Sequence, residues 1–288
     1  MNKLDSLEPH NSNILSVYFN GKRPQLSLPT QTKYINYFIK LEDMLYEYAK
    51  SNNIMKNIKS IIKMLKDSDL KVETIKQMLQ LLNAITPSKS LKNAIEIYSK
   101  KTNDYYKNKT TDTLADTKIT YNDLKSLLTR KDIDDNDYVL FYILLNYGVR
   151  NMDLVIDLQE HTDTNNYMLV NDKSIRYVRN SYKTFAKYGT LKISIKTPRF
   201  VKIIKSYVYS KRQALFINNK KDAVQSDDMT NFINTRFNKY LKSGERISES
   251  LTYKIINNYY SKSNDTSKQI KISKSRGHDL NTQAKFYE

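Results

Sequence analysis

The sequence predicts a mainly helical protein with a small β-sheet, in the α+β class. Through much of the chain, apolar residues recur every three or four positions, as they do along the buried face of a helix. Between residues 167 and 195 the pattern changes to short runs of alternating or β-branched apolar residues, which are typical of strands. The chain has 288 residues, enough for one or two domains with a sizeable core.

The net charge of the chain indicates which kind of molecule it binds. There are 48 Lys and Arg residues against 30 Asp and Glu residues, which gives a formal net charge of +18. Such an excess favours a polyanion, and we expect double-stranded DNA rather than a membrane surface. No apolar run approaches the roughly 20 residues that a membrane-spanning helix needs. The first residues do not resemble a secretory signal, so we expect an intracellular protein, in the cytoplasm or nucleus of a host or in a virion.

The composition also limits the chemistry. The chain has no cysteine, which excludes disulfides, cysteine-ligated zinc and cysteine nucleophiles. Its three histidines, His10, His161 and His278, are too scattered in the sequence to form a multi-histidine metal site by themselves. We therefore expect neither a metal nor a cofactor.

The first third of the chain predicts an arm followed by a helical bundle. Residues 1–28 are polar and end close to two prolines, which indicates a flexible N-terminal arm. Residues 29–104 contain four amphipathic patterns, and Ser88 or Ser90 can cap the last helix. The apolar face of the first pattern consists of Tyr34, Phe38, Leu41, Leu45 and Tyr48. Four such helices make a small bundle.

The remainder predicts a second domain. Residues 105–118 lack periodicity and are rich in Thr, Lys and Asp, so we place a linker there. Within 119–288, Asp134 or Asp135 can cap a helix whose interior, residues 139–145, is apolar nearly all round and should be buried. Gly148 is expected to end this helix. Strands are predicted at 167–170, 174–179 and 191–195, and further helices at 198–209 and 232–241.

Two sequence motifs lie within this second predicted domain, one after the buried helix and one near the end of the sequence. After the buried helix come Gly148, Val149, Arg150, Asn151, Met152, Asp153 and Leu154. An arginine beside a helix end commonly interacts with the helix dipole, but its planar fork also suits two phosphate oxygens. Near the end of the sequence, Gly277-His278 is followed nine residues after the histidine by Tyr287. Since the chain has 23 tyrosines, the spacing carries this signal rather than the residue type.

Together these motifs resemble the tyrosine recombinase, or phage-integrase, family. The resemblance extends over residues 30–287 and implies a DNA-clamping core-binding domain at 29–104 and a catalytic domain at 119–288. It implies that Tyr287 attacks the scissile phosphate, giving a 3′-phosphotyrosyl link, while Arg150 binds that phosphate. It also implies that four protomers assemble around two DNA duplexes.

The resemblance implies roles for two further side chains. His278 would hydrogen-bond the phosphate or assist proton transfer at the tyrosine. A Lys-Thr pair between the second and third strands, Lys183-Thr184, matches the lysine that gives a proton to the leaving 5′ oxygen. Lys187 is the alternative, because the register of a hairpin is uncertain by a few residues.

One part of the family pattern is missing. The family has a second box, His-x-x-Arg, where this chain has Ser250 and Tyr253. Lys254 is the tentative substitute for the second arginine, and Arg276 is the alternative. Residues 254–276 carry six basic residues and one acid, which favours the prediction that this segment faces DNA. The candidate DNA-binding residues are Lys187, Lys271, Lys274 and Arg276.

Two other functions remain open at this point. A type IB topoisomerase uses the same chemistry to relax supercoils. A non-enzymatic DNA-binding protein would have kept the fold and lost the reaction, and the broken second box is the evidence for it.

Overall fold

The structure is a computed structural model that describes residues 3–22, 26–241 and 244–277. The first helices are α1 (Pro9–Val17), α2 (Leu28–Ala49), α3 (Ile58–Lys66), α4 (Val72–Ile85), α5 (Lys89–Asp116), α6 (Tyr121–Ser126) and α7 (Asp135–Asn146). They are followed by β1 (Ile156–Asp157), β2 (Asn166–Val170), β3 (Ile175–Arg179), α8 (Phe185–Tyr188), β4 (Leu191–Ile195), α9 (Pro198–Tyr209), α10 (Met229–Leu241), α11 (Glu249–Lys262) and α12 (Thr266–Arg276). The predicted class, mainly helical with a small sheet, is confirmed.

The chain divides into two compact units, Met1–Tyr106 and Lys107–Glu288. The boundary falls inside the segment 105–118 for which a linker is predicted, but most of that segment belongs to helix α5. Residues 107–116 are largely exposed. A periodic pattern of apolar residues indicates that one face of a helix is buried. A helix that is exposed all round leaves no such pattern, so the sequence did not predict this part of α5. The assignment of the two units to a core-binding and a catalytic domain stays a prediction.

The N-terminal segment differs from the expected flexible arm. Among the described residues of 1–28, Leu7, Leu15 and Phe19 are buried in the core of the first unit. The amide of Asn11, which is fully buried, donates to the carbonyl of Asn52 at 2.8 Å. Burying large apolar side chains favours order by about 1.5–3 kcal/mol each, which outweighs the polar composition on which the arm was predicted.

The core of the second unit surrounds α7. Every residue from Asp137 to Leu145 in this helix is buried except Tyr142, which packs against the same core. Asp134 is its N-cap, and its carboxylate accepts a hydrogen bond from the Asp137 N–H at 2.9 Å. The interpretation of this segment as a buried central helix is therefore confirmed.

The four strands form one sheet in the order β1-β2-β3-β4. The pair β1–β2 is parallel and the other two pairs are antiparallel, with Met168 opposite Tyr177 and Tyr177 opposite Ile193. The three predicted strands are confirmed, while the two-residue β1 is too short to leave a pattern in the sequence. Gly189 has φ +64° in the turn before β4, a conformation that glycine adopts without strain.

Gly148 has a different role from the predicted one. Helix α7 ends at Asn146, and Tyr147 after it is extended. A Cβ on Gly148 would lie 2.7 Å from the carbonyl oxygen of Ile272 and 2.9 Å from Cβ of Arg276. This glycine therefore allows α12 to approach the end of α7, and that approach positions the candidate site.

No helix in the described part of the chain combines the length and the apolar character needed to cross a bilayer.

Candidate functional site

Arg150 lies beside the C-terminal end of α12. It precedes a short 3-10 turn, Asn151–Leu154, and its backbone N–H donates to Oδ2 of Asp153 at 2.7 Å. Its side chain reaches across to α12, where Nη1 donates to the carbonyl oxygen of Arg276 at 2.6 Å. The guanidinium is thus held at the helix end that directly precedes Gly277-His278.

A buried ion pair between Asp153 and Arg179 lies beside the contact between Arg150 and α12. The side chains of Asp153 and Arg179 are both fully buried, and Nη2 of Arg179 donates to Oδ2 of Asp153. Nη1 of Arg179 donates to the carbonyl oxygen of Ser275, in the last turn of α12. Burial raises the pKa of the Asp153 carboxyl, and the charge of Arg179 opposes that rise. Arg179 therefore ties the Arg150 turn to the end of α12.

The connection between β3 and β4 reaches the same place. Oγ1 of Thr184 donates to the carbonyl oxygen of Gly277 at 3.3 Å. Gly277 has φ +70° and is the left-handed C-cap of α12, a position that glycine commonly occupies. Lys183 immediately precedes Thr184 and is exposed. Lys187, one turn further along in α8, is also exposed, with its amine 4.9 Å from the centre of the Tyr188 ring.

Arg276 is buried at the centre of the group, with 4% of its surface exposed. Its Nη1 donates to the carbonyl of Val149 at 2.9 Å, and its Nη2 donates to Oε1 of Glu249 at 3.2 Å. Burial raises the pKa of the Glu249 carboxyl, and the neighbouring Arg276 charge opposes the rise. As a candidate DNA-binding residue, Arg276 thus presents little surface, and its guanidinium is engaged within the protein.

The second-box position is also buried. Tyr253 is 2% exposed, and its hydroxyl lies 3.3 Å from Oγ of Ser273. Lys254 is half-buried and is turned by about 100° on α11 relative to Tyr253. Burial lowers the pKa of the Lys254 amine, and the charge of Lys109 lowers it further. Lys109, on α5, is therefore a charged neighbour of Lys254.

The structure brings together some of the predicted site residues. Arg150, Arg276 and the Lys183-Thr184 connection meet at the end of α12. Lys271 and Lys274 are exposed on α12 itself. His278 and Tyr287 lie outside the described residues. Their assigned roles, like those of the lysines, stay predictions.

Sequence reasoning missed Arg179 and Glu249. Arg179 stands at the end of a strand with three buried residues in succession, so alternation alone would leave its direction open. Glu249 is in the first turn of α11, where an acid is commonly explained by the helix dipole. Neither residue type at its position signals a buried partner.

No cluster of three or more His, Asp or Glu side chains suited to a metal ion occurs in the described ranges.

No family model matches the chain, and no curated protein matches it. One solved structure that matches is the crystal structure of XerA recombinase, with 12% sequence identity and a TM-score of 0.39. The match covers 96% of this chain and 94% of that chain. At this TM-score, the likeness to a recombinase does not assign a function to the chain.

Proposed function

We propose that this protein is a site-specific DNA recombinase or integrase that cleaves and rejoins strands through a 3′-phosphotyrosyl intermediate. One observation carries the proposal. Three segments that sequence motifs single out, Arg150, Lys183-Thr184 and Arg276-Gly277, meet at the end of one helix. They are more than 30 residues apart in the chain at their closest, so their meeting is a property of the fold and not of local sequence.

The proposed reaction exchanges one phosphoester for another. The hydroxyl oxygen of Tyr287 forms a bond to phosphorus as the bond from phosphorus to the 5′ oxygen breaks. His278 hydrogen-bonds the phosphate or takes the tyrosine proton, and Lys183 gives a proton to the leaving oxygen. Arg150 neutralises the charge that builds on the phosphate. The phosphotyrosyl link conserves the bond energy for rejoining.

A second positive charge is needed beside Arg150, and two residues are candidates. Lys254 is nearer in sequence to the missing arginine, but Lys109 is its charged neighbour. The Arg276 side chain donates a hydrogen bond to the carbonyl of Val149, the residue before Arg150. The Arg276 carbonyl in turn accepts a hydrogen bond from the Arg150 side chain. This proximity favours Arg276, acting at short range through its charge.

One observation favours a second function, DNA binding without cleavage. Tyr253 is buried at the second-box position and Arg276 is paired with Glu249, so a second exposed arginine fork is absent from the described group. A protein with a net charge of +18 would still bind duplex DNA as a polyanion.

Trapping on suicide substrates separates the two functions. The purified chain is incubated with nicked duplexes of randomised sequence, in which the cleaved fragment diffuses away so that rejoining fails. We expect an adduct that survives denaturing electrophoresis and that is absent from Tyr287→Phe. Tyr209→Phe is the matched control, because Tyr209 is 91% exposed at the end of α9, and it should form adduct like the parent.

Two results would contradict cleavage by Tyr287. Adduct formed by Tyr287→Phe would remove this residue from the reaction. If the parent binds the duplexes but forms no adduct, the protein is a DNA-binding protein without the reaction. The homotetramer implied by the family resemblance is tested by the mass of the complex on duplex DNA.

A further inference from the structure

A cavity of about 450 Å³ opens in the second unit, away from the Arg150 group. Residues from the end of α5, from α6 and from α11 line it, among them Leu114, Ile119, Tyr121, Ile255, Tyr259 and Lys262. Tyr259 follows Tyr253 by six residues on α11, which is about 9 Å along the helix and about 120° around it. The cavity therefore belongs to a different face of α11 from the one that contacts Arg276.

The wall of this cavity contains a stacked pair of tyrosines. The ring centres of Tyr121 and Tyr259 are 4.2 Å apart with an angle of 26° between the planes. The hydroxyls of Tyr121 and Tyr260 are 2.7 Å apart, and the Tyr260 ring meets the Tyr259 ring edge-on at 5.5 Å. Tyr259 is 39% exposed although it is held on two sides. Tyr259 is thus held by two aromatic neighbours while part of its side chain stays exposed to solvent.

The charges around these rings are mainly positive. Among the described residues that line the cavity, Lys262 is the one that carries a charge. Lys125 acts on the Tyr121 hydroxyl, and Lys268 lies 5.4 Å from the centre of the Tyr260 ring. Lys268 is paired with Asp265 at 2.8 Å, so its charge is partly offset. Burial raises the pKa of the Tyr121 hydroxyl above its usual value near 10.

We propose that this cavity binds an unpaired base of single-stranded nucleic acid, with the base stacked on Tyr259 and the neighbouring phosphate near Lys262. A rigid aromatic face beside a lysine is the combination by which proteins hold single strands, since every base offers a π-face and every nucleotide a negative charge. An apolar peptide would leave the lysine without a partner. The proposal does not depend on strand cleavage, because no residue of the Arg150 group takes part in it.

The test compares affinities for a fluorescein-labelled thymidine oligonucleotide, measured by anisotropy. Tyr259→Ala should weaken binding by about 5- to 100-fold, the range for loss of one stacked base. Tyr259→Phe keeps the ring and should bind within about twofold of the parent, which also shows that the face folds. Tyr209→Ala is the matched control, an exposed tyrosine in the same unit, and should bind like the parent. Affinity for a duplex of the same length should be unchanged in all three variants.

A second variant tests the charge. Lys262→Gln should lower the slope of log affinity against log salt by about 0.7 on the single strand, as expected for one lost phosphate contact. The proposal is overturned if Tyr259→Ala binds the oligonucleotide like the parent, if it loses duplex affinity equally, or if the parent does not bind the oligonucleotide. Failure of the cleavage proposal would appear only in adduct formation, since the oligonucleotide assay scores binding alone.

Discussion

The guanidinium carbon of Arg276 lies 4.2 Å from the centre of the Tyr253 ring. Tyr253, on α11, occupies the position at which the resembled family has its second arginine. The guanidinium of Arg276, on α12, therefore stacks on the tyrosine that replaces that arginine. A cation over an aromatic face is attracted by the ring quadrupole, more strongly when the pair is desolvated, as it is here. The stack, the Val149 carbonyl and Glu249 together fix Arg276 beside Arg150.

This relationship predicts which cation supports the proposed reaction. Arg276→Lys keeps a charge but loses the planar fork and the two hydrogen bonds that hold this charge beside Arg150, so adduct formation should fall by at least about 10-fold, toward the range for loss of a preorganised donor. Lys254→Gln should change it by less than about twofold. Both are measured as initial rates on the suicide duplexes, at a protein concentration that saturates binding.

The matched control for Arg276→Lys is Arg199→Lys. Arg199 also lies over a tyrosine, 4.1 Å from the Tyr138 ring centre, and also has an acid partner, Asp135, at 3.7 Å. Its partners Ile133 and Asp135 lie at the start of α7, the opposite end of that helix from Arg150, so its change should leave the adduct rate unaltered. A large loss in Lys254→Gln with none in Arg276→Lys would reverse the assignment.

The close approach at Gly148 makes a prediction about stability. Gly148→Ala would place a methyl group 2.7 Å from the Ile272 carbonyl oxygen, so α12 has to shift. Overpacking of this kind typically costs about 1–3 kcal/mol. Gly21→Ala is the control, since nothing lies within 4 Å of the added carbon and its φ is not positive. Urea denaturation should show a lower midpoint for Gly148→Ala alone; equal midpoints would contradict the approach.

The Asp153–Arg179 pair predicts a non-additive mutant cycle. Asp153→Asn or Arg179→Met alone leaves a buried charge without its partner, which typically costs about 3–5 kcal/mol. The double variant removes both charges and should be less destabilised than the sum of the two. The free energy of unfolding from denaturant titration provides the measure, and additive values would mean that the two side chains act separately. Asp132→Ala, which removes an exposed ion pair with Arg130, should leave the free energy of unfolding nearly unchanged.

Asp134 predicts a loss of stability in acid. Burial acts to raise its pKa, but the Lys239 amine at 2.6 Å and the bond with Asp137 outweigh it and lower the pKa from 3.8 to about 2. A carboxyl with a depressed folded pKa stabilises above its unfolded pKa and loses that contribution as the pH falls through the folded value. The parent should therefore lose stability between about pH 4 and pH 2.

The variant that isolates this effect is Asp134→Asn. Asparagine still caps α7 but does not titrate, so the loss of thermal stability between about pH 4 and pH 2 should be smaller than in the parent. Lys239→Gln removes the cation and should reduce the loss in the same direction. A parent and an Asn variant that lose stability in parallel would show that Asp134 is not the group responsible.

Much of the fold was accessible from the sequence because burial leaves a periodic trace. The interior of α7 and three of the four strands follow from the placement of apolar residues, and the Asp134 cap follows from the chemistry of helix N-termini. The order of residues 3–22 did not follow, because its apolar side chains complete a core whose other wall is distant in sequence.

The candidate site divides in the same way. The motifs selected Arg150 and the segments around Lys183 and Gly277, whose residue types are typical of phosphate chemistry. The residues that hold them together, Arg179 and Glu249, are recognisable only from their partners, which lie 26 and 27 residues away. A single sequence contains no signal for such pairs.

Gly277 has a consequence for handedness. Its φ of +70° is the conformation that a residue of the mirror-image series would adopt without strain, and an L side chain there would begin 2.2 Å from Oγ1 of Thr184. An L residue with a side chain at position 277 is therefore disfavoured for two independent reasons, the left-handed backbone and the contact with Oγ1 of Thr184, and D-alanine in a chemically synthesised chain would avoid the first of them.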